Sequence, residues 1–259
     1  MRLFFPFLLG LLCAFPALAV DLDAPPPSEE HVAPAWLEGY VYLPGKDGLQ
    51  EEKLKRKKVE DAFAKLTASG KKLPAVLYMH GCSGVGSSGR KDAAFMSSQG
   101  YAVFMPRSLA RDRHASCDPK AKKGGLIPEI KAYRQQEIVY SLARLRELPF
   151  IDQSNLILMG HSEGCGAVLH NKLDDFRLFI ASACNCKRTG IRVPKGKPLL
   201  IYRSENDPWS KVHDNNCTPI VNERPAGSRS LLIPGDAHWI GDNPEVRAAI
   251  LEILARYGR

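Results

Sequence analysis

The sequence has no internal repeat, no long low-complexity tract, and few aromatic residues, which make up 8% of its 259 residues. Missing repeats argue against a solenoid or propeller, and missing low-complexity tracts argue against a largely disordered chain. The basic run 53–58 has no interleaved aromatic residues, so it is interpreted as a solvated helix face and nucleic-acid binding is not expected. The apolar run 3–15 is too short and too interrupted by proline to predict stable insertion in a membrane.

Residues 1–19 have the pattern of a secretory signal peptide. Arg2 precedes the apolar run, and Ala17-Leu18-Ala19 forms an A-x-A-type cleavage site. A lipoprotein attached at Cys13 is the alternative, but Leu12 is not the small residue expected before such a cysteine. The sequence therefore predicts an exported protein, periplasmic or secreted, that starts near Val20.

Removal of the signal changes the charge and the cysteine count. Without Arg2 and Cys13, the 36 basic residues and 7 cysteines become 35 and six, and the 28 acidic residues leave a net charge of +7. An even number of cysteines in an oxidising compartment predicts disulfides, although six cysteines allow 15 pairings. The basic surplus favours anionic substrates or surfaces.

The remaining chain is long enough for one α/β domain. Residues 20–36, with three consecutive prolines, are predicted to form an extended leader, and the first strand is expected at 37–43. The charged segment 48–70 carries apolar residues at helical spacing and predicts a surface helix. Beyond it, apolar strands alternate with helices, which predicts one domain over 37–259 with a doubly wound, mostly parallel sheet and helices on both faces.

Residues 155–168, NLILMGHSEGCGAV, contain a candidate nucleophile. The pentapeptide from Gly160 to Gly164 matches G-x-S-x-G, in which the serine occupies a sharp strand-to-helix turn. An apolar run typical of a buried strand precedes it, and small residues that allow close helix packing follow it. The context therefore favours Ser162 as a nucleophile over a polar residue in an ordinary turn.

A serine nucleophile needs a histidine base and a carboxylate that orients the histidine. In residues 198–209, PLLIYRSENDPW, Asp207 follows a predicted strand, with Glu205 as its competitor. In residues 229–239, RSLLIPGDAHW, His238 follows the next strand, whereas His213 is close in sequence to Asp207. Doubly wound hydrolases use the order serine, acid, histidine, so Asp207 and His238 are the predicted partners.

The tetrahedral intermediate needs two backbone N–H donors. Glu163, directly after the serine, supplies one candidate, and Cys82 in the segment HGCSG at 80–84 supplies the other. His80 is interpreted as a residue that supports this loop. His161 and Trp239, which are neighbours of the serine and the histidine in sequence, are predicted to contact the substrate.

A basic loop, residues 107–125, follows the strand 101–105 and is expected to cover the site. Such a loop is often simply solvated, but Arg107 at the strand end is also a candidate to pair with an anionic acid portion of the substrate. Cys165, three residues after Ser162, is interpreted as a packed or disulfide-bonded residue rather than a second nucleophile.

These motifs, HG-C-SG, GHSEG, NDPW and DAHW, resemble the α/β-hydrolase superfamily and its dienelactone hydrolase-like branch from about residue 37 to the C-terminus. The resemblance implies an eight-stranded sheet and a triad of Ser162, Asp207 and His238. It also implies hydrolysis of a small-molecule ester without metal or organic cofactor. Dienelactone hydrolases proper have a cysteine at the position of Ser162, and the segment 48–70 resembles an insertion. A serine peptidase of the prolyl oligopeptidase-like type and an inactive hydrolase-fold binding protein remain the alternatives.

Overall fold

The computed structural model describes residues 29–45, 48–209 and 217–258. The predicted signal peptide, the part of the predicted leader before residue 29, and His213 lie outside these ranges. The first half of the described chain contains α1 (Glu29–Leu37), β1 (Tyr40–Tyr42), β2 (Glu52–Lys53), α2 (Lys57–Ala68), β3 (Leu73–Met79), α3 (Ser87–Ser98), β4 (Ala102–Met105), a 3₁₀ turn (Ser108–Ala110), β5 (Cys117–Asp118) and β6 (Lys123–Gly124).

The second half repeats the alternation of helix and strand. It contains α4 (Ile130–Arg146), β7 (Ile151–His161), α5 (Glu163–His170), β8 (Leu178–Ser182), α6 (Cys186–Thr189), β9 (Leu199–Ser204), α7 (Thr218–Asn222), β10 (Arg229–Ile233) and α8 (Pro244–Tyr257). Among all these helices, none combines the length and the apolar composition needed to cross a membrane.

Eight of the strands form one sheet in the order β10-β9-β8-β7-β3-β4-β1-β2. The six strands from β10 to β4 are parallel to their neighbours, and β1 and β2 are antiparallel at one edge. The predicted eight-stranded, mostly parallel sheet is confirmed. Because the parallel strands point the same way, the loops that follow β3, β7, β9 and β10 meet at one edge of the sheet.

The core consists of two apolar layers, one on each face of the sheet. Along β3, Leu77 and Met79 enter the layer that contains α4 and α5, and Val76 and Tyr78 enter the layer that contains α3 and α8. Burial on both faces explains why the central strands are continuous apolar runs rather than alternating patterns.

The prediction of an extended leader at residues 20–36 is wrong for residues 29–36. Residues 29–36 were expected to be extended, but α1 occupies them, and the first strand begins at Tyr40 rather than at residue 37. Val32, Ala35 and Trp36 lie at helical spacing and are buried, and the Trp36 ring stacks on Phe104 with a centroid distance of 5.5 Å. Burial of this apolar face favours a helix despite Pro34 within it.

The charged segment 48–70 contains the predicted surface helix as α2, and also the short edge strand β2. Val59 of α2 is buried, and Ala62, Phe63 and Leu66 pack against the same layer of the core. Leu54 lies before the helix, where its N–H donates to the Gly39 carbonyl at 3.0 Å. The segment therefore extends the sheet edge and covers one face.

Candidate active site

Ser162 occupies the turn between β7 and α5 with a positive φ of 57°, which is uncommon for a residue other than glycine. The turn requires glycine on both sides: a Cβ at Gly164 would lie 1.8 Å from the Met79 carbonyl oxygen, and a Cβ at Gly160 would lie 2.4 Å from the Gly164 carbonyl oxygen. The Ser162 N–H donates to the Ser182 carbonyl at 2.9 Å. The local sequence therefore forms the predicted strand-to-helix elbow and presents the serine at the sheet edge.

Three side chains predicted to act together are within hydrogen-bond distance. His238 Nε2 lies 2.9 Å from Ser162 Oγ, and His238 Nδ1 lies 2.9 and 2.8 Å from the two Asp207 carboxylate oxygens. The Asp207 side chain is 1% exposed and also accepts the Trp209 N–H at 3.0 Å. Because a carboxylate only accepts hydrogen bonds, the Nδ1 atom carries a proton, and Nε2 is left to accept the Ser162 hydroxyl proton.

Two rings flank His238. The Trp209 ring stacks on it at a centroid distance of 5.3 Å, and the His161 ring lies 4.9 Å away. Burial, together with the nearby His238, lowers the pKa of His161 to about 3, and its Nδ1 atom lies 2.9 Å from Ser182 Oγ. His161 is therefore a neutral wall of the site. Trp209 was not predicted, although its place two residues after Asp207 could have indicated it.

The HGCSG loop passes directly beside the serine. A Cβ at Gly81 would lie 3.4 Å from the Ser162 Cβ. His80 is buried, its Nδ1 atom donates to the Gly81 carbonyl at 2.6 Å, and its Nε2 atom accepts the Ser108 N–H at 2.9 Å. Burial holds the pKa of His80 well below its usual value, so a neutral ring ties this loop to the segment after β4.

Glu163 begins α5, where backbone N–H groups have no partner within the helix. Its side chain is held by two arginines and a serine: Arg113 Nη2 donates at 3.2 Å, Arg134 Nε lies 3.7 Å away, and the Ser116 hydroxyl donates to the other oxygen. Burial raises the pKa of Glu163, and both arginines oppose that rise. Sequence reasoning missed this cluster.

The six cysteines within the described residues form three disulfides: Cys82–Cys117, Cys165–Cys184 and Cys186–Cys217. Their Cα–Cα distances of 5.8, 5.8 and 5.7 Å are those of ordinary disulfides. Cys165 is disulfide-bonded, so its interpretation as a bonded residue is confirmed.

Two cavities open at Ser162. The smaller, of about 170 Å³, is lined by His238, His161 and the HGCSG loop. The larger, of about 380 Å³, is lined by α5, the Cys165–Cys184 disulfide and the end of the basic loop. Ser162, Cys82 and Trp209 line both. The basic loop therefore reaches the site, as expected, although through its end at Gly124 and Gly125.

Two residues predicted to contact substrate line neither cavity. The Arg107 N–H donates to the Ala35 carbonyl at 2.7 Å, and its side chain does not border the space around Ser162. The Trp239 indole N–H donates to the Asp92 carboxylate at 3.1 and 3.2 Å. The bond to Ala35 fixes the backbone of Arg107 against α1, and the bond to Asp92 turns Trp239 away from the serine.

The pH dependence of stability can test the burial of Asp92, the residue that holds Trp239. Asp92 is buried and accepts the Tyr78 hydroxyl at 2.9 Å as well as the Trp239 N–H. Burial raises the pKa of the Asp92 carboxyl from 3.8 to about 6, against these two bonds and the positive charge of Arg247, while Asp242 raises it further. Between these pH values the unfolded chain loses this proton and the folded chain keeps it, so stability falls as pH rises.

We therefore expect Asp92→Asn to remove a pH-dependent loss of stability. Relative to the variant, the wild-type free energy of unfolding should fall by about 3 kcal/mol between pH 3 and pH 7, which denaturant titrations at several pH values would measure. Asp174→Asn, at an exposed carboxylate, is the control and should give a nearly constant difference. A constant difference for Asp92→Asn would show that its carboxyl is not perturbed.

The fold has counterparts among solved structures. An α/β serine hydrolase of Xanthomonas campestris, described as lacking a lid, matches 84% of this chain and 88% of its own, with a TM-score of 0.53 and 14% identity. The chain has the α/β-hydrolase fold. A dienelactone hydrolase of Anabaena variabilis matches 73% of this chain and 88% of its own, with a TM-score of 0.53 and 16% identity.

Peptidases also share this α/β-hydrolase fold. An acylaminoacyl peptidase of Pyrococcus horikoshii matches 85% of this chain but 39% of its own, with a TM-score of 0.52 and 13% identity. No protein-family model matches the chain, and no curated protein matches it.

Proposed function

We propose that this protein is an exported serine hydrolase that cleaves a carboxylic ester of a small molecule. The observation that carries the proposal is the continuous contact of Ser162, His238 and Asp207, with His238 Nε2 at 2.9 Å from the serine oxygen and both Asp207 oxygens within 2.9 Å of Nδ1. A serine, a histidine and a buried carboxylate in this order are the parts needed for acyl transfer.

The reaction proceeds in two halves. Ser162 Oγ bonds to the ester carbonyl carbon while its proton passes to His238 Nε2, and Asp207 stabilises the resulting imidazolium. The N–H groups of Cys82 and Glu163 hold the negative oxygen. The bond to the alcohol then breaks as His238 returns the proton to the leaving oxygen. Water repeats the sequence on the acyl group, which releases the acid and restores the serine.

Export is supported by the sequence and by the cysteines. Residues 1–19 have the pattern of a secretory signal, and the six cysteines that would remain after its cleavage form three disulfides. Such bonds form and persist in oxidising compartments, which is consistent with the periplasm or the cell exterior.

A small-molecule ester is proposed as the substrate. The cavity lined by His238 has a volume of about 170 Å³, which is enough for a small leaving group. A serine peptidase of the prolyl oligopeptidase-like type remains the alternative enzyme. Short-chain aryl esters compared with aminoacyl amides would separate the two activities, and faster turnover of the amides would reverse the proposal.

Fluorophosphonate labelling of the purified mature protein tests whether the site reacts at all. We expect one adduct, mapped by peptide mass spectrometry to Ser162, and its loss in His238→Ala because the serine then has no base. An adduct on another residue would show that this residue, rather than Ser162, is the nucleophile. A folded protein that is not labelled would favour an inactive hydrolase-fold binding protein.

One short segment contacts both proposed oxyanion donors. Cys117 is bonded to Cys82, while its neighbour Ser116 donates to the Glu163 side chain. Stabilisation of the oxyanion requires donors in fixed positions, and it is stronger in the transition state than in bound substrate. The Cys82–Cys117 bond should therefore affect kcat more than KM.

We expect Cys82→Ala combined with Cys117→Ala to lower kcat about tenfold or more, with little change in KM. Steady-state kinetics on an aryl ester would measure the split, and thermal unfolding would report stability separately. Cys186→Ala combined with Cys217→Ala is the matched control, since it removes a disulfide that contacts neither donor. Equal losses of kcat in both double variants would mean that the Cys82–Cys117 bond serves stability alone.

A further inference from the structure

The two cavities at Ser162 differ in whether His238, the proposed base, lines them. His238 and His161 line the cavity of about 170 Å³, whereas neither lines the cavity of about 380 Å³. Under the proposed mechanism, His238 must deliver a proton to the leaving oxygen, so the alcohol has to depart on the side where Nε2 is accessible. The alcohol portion therefore belongs in the smaller cavity, and the acyl portion belongs in the larger one.

The volumes rank the two portions by size. A cavity of about 150 Å³ in a protein interior accommodates one benzene molecule. The smaller cavity thus has room for about one aromatic ring of the alcohol, and the larger one for about two rings of the acyl group.

The walls of the larger cavity indicate an apolar acyl group. Apolar surface comes from Ile127, Pro128, Ala167, Trp209 and the Cys165–Cys184 disulfide. Apolar lining favours an apolar ligand, because burial of a polar group without a partner is unfavourable.

The buried charges at this cavity pair within the protein. Arg134 donates to Glu137 at 2.9 Å and to the His80 carbonyl at 2.6 Å, and Glu163 is held by Arg113 and Ser116. A carboxylate on the substrate would have to compete with these contacts, so the buried charges favour an uncharged group in the interior of this cavity. The other cation of the lining, Lys131, is exposed to solvent.

We propose that the substrate is an ester of a bulky, uncharged apolar acid, of about two-ring size, with a smaller alcohol of about one ring. This inference rests on the proposed hydrolase function. It adds to that function the division of the ester between two cavities, and it replaces the expectation of an anionic acid portion.

Each cavity is lined by a glycine whose substitution would fill that cavity and leave the other unchanged. Gly166 lines the larger cavity and Gly86 lines the smaller one. A Cβ added at either position meets no atom within 4 Å, and neither glycine has a positive φ. Leucine at each site should therefore occupy cavity space with little effect on folding, and alanine at each site gives an intermediate size.

The esters to compare are methyl 2-naphthylacetate, which has a bulky acyl group and a small alcohol, and phenyl acetate, which has the reverse arrangement. Each variant is compared with the wild type on the same ester, so the different intrinsic reactivities of the two esters cancel. We expect Gly166→Leu to lower kcat/KM for the naphthyl ester about tenfold or more and to change that for phenyl acetate by less than about threefold. Gly86→Leu should lower kcat/KM for phenyl acetate more than for the methyl ester.

The opposite pattern would reverse the assignment of the cavities, and equal effects of each variant on both esters would show that the cavities do not hold the substrate as proposed. Wild-type protein that is labelled at Ser162 but shows no preference for methyl 2-naphthylacetate over methyl acetate would overturn the substrate class alone. Absence of labelling and of hydrolysis of every ester would overturn the hydrolase function itself.

Discussion

Ser162→Ala is expected to lower kcat for aryl esters by about five to six orders of magnitude, because no other group would bond to the ester carbonyl carbon. The fold should persist, since alanine keeps the Cβ and the positive φ of 57° that serine already adopts. Steady-state kinetics together with thermal unfolding would separate loss of chemistry from loss of structure.

Ser98→Ala is a matched control for Ser162→Ala, because Ser98 is exposed at the end of α3, donates to the Phe95 carbonyl and accepts from the Gln99 side chain. Its activity should equal that of the wild type. If Ser162→Ala kept more than about one hundredth of the wild-type kcat, another nucleophile would have to be active.

Asp207→Asn is expected to lower kcat by about four orders of magnitude while the protein stays folded. If the asparagine oxygen keeps the Trp209 N–H, the amide NH₂ takes the place of the other carboxylate oxygen, 2.8 Å from His238 Nδ1. An NH₂ group donates, so Nδ1 would become an acceptor and the proton would move to Nε2. His238 could then no longer take the proton from Ser162.

Glu205→Gln is the matched control, because Glu205 is the neighbouring carboxylate that the sequence left open as a competitor. Its backbone N–H donates to the Ile233 carbonyl at 2.9 Å, and its side chain is not within hydrogen-bond distance of His238. We expect nearly wild-type kcat. Full activity in Asp207→Asn with loss in Glu205→Gln would give the orienting role to Glu205.

Patterns among neighbouring residues in the sequence were sufficient to predict many of the strands and helices. The apolar run 156–159 lies within β7, which extends from Ile151 to His161, and the helix predicted within the segment 48–70 is present as α2. Runs of apolar residues buried on both faces, and helical spacing with one apolar face, depend mainly on neighbours in sequence. The N-terminal helix α1 was missed because prolines suggested an extended chain, whereas contact of Trp36 with Phe104 favours a helix.

The sequence by itself determined the strand-to-helix turn at Ser162 and the order of the three candidate catalytic side chains, because short motifs and parallel strands fix which loops share one sheet edge. Only the tertiary structure decided which cysteines pair, that Trp209 rather than Trp239 stacks on His238, and that Arg113 and Arg134, rather than Arg107, lie beside Glu163. The direction of a side chain depends on packing against segments that are distant in sequence. Asp92, for example, turns Trp239 away from the site across 147 residues of chain.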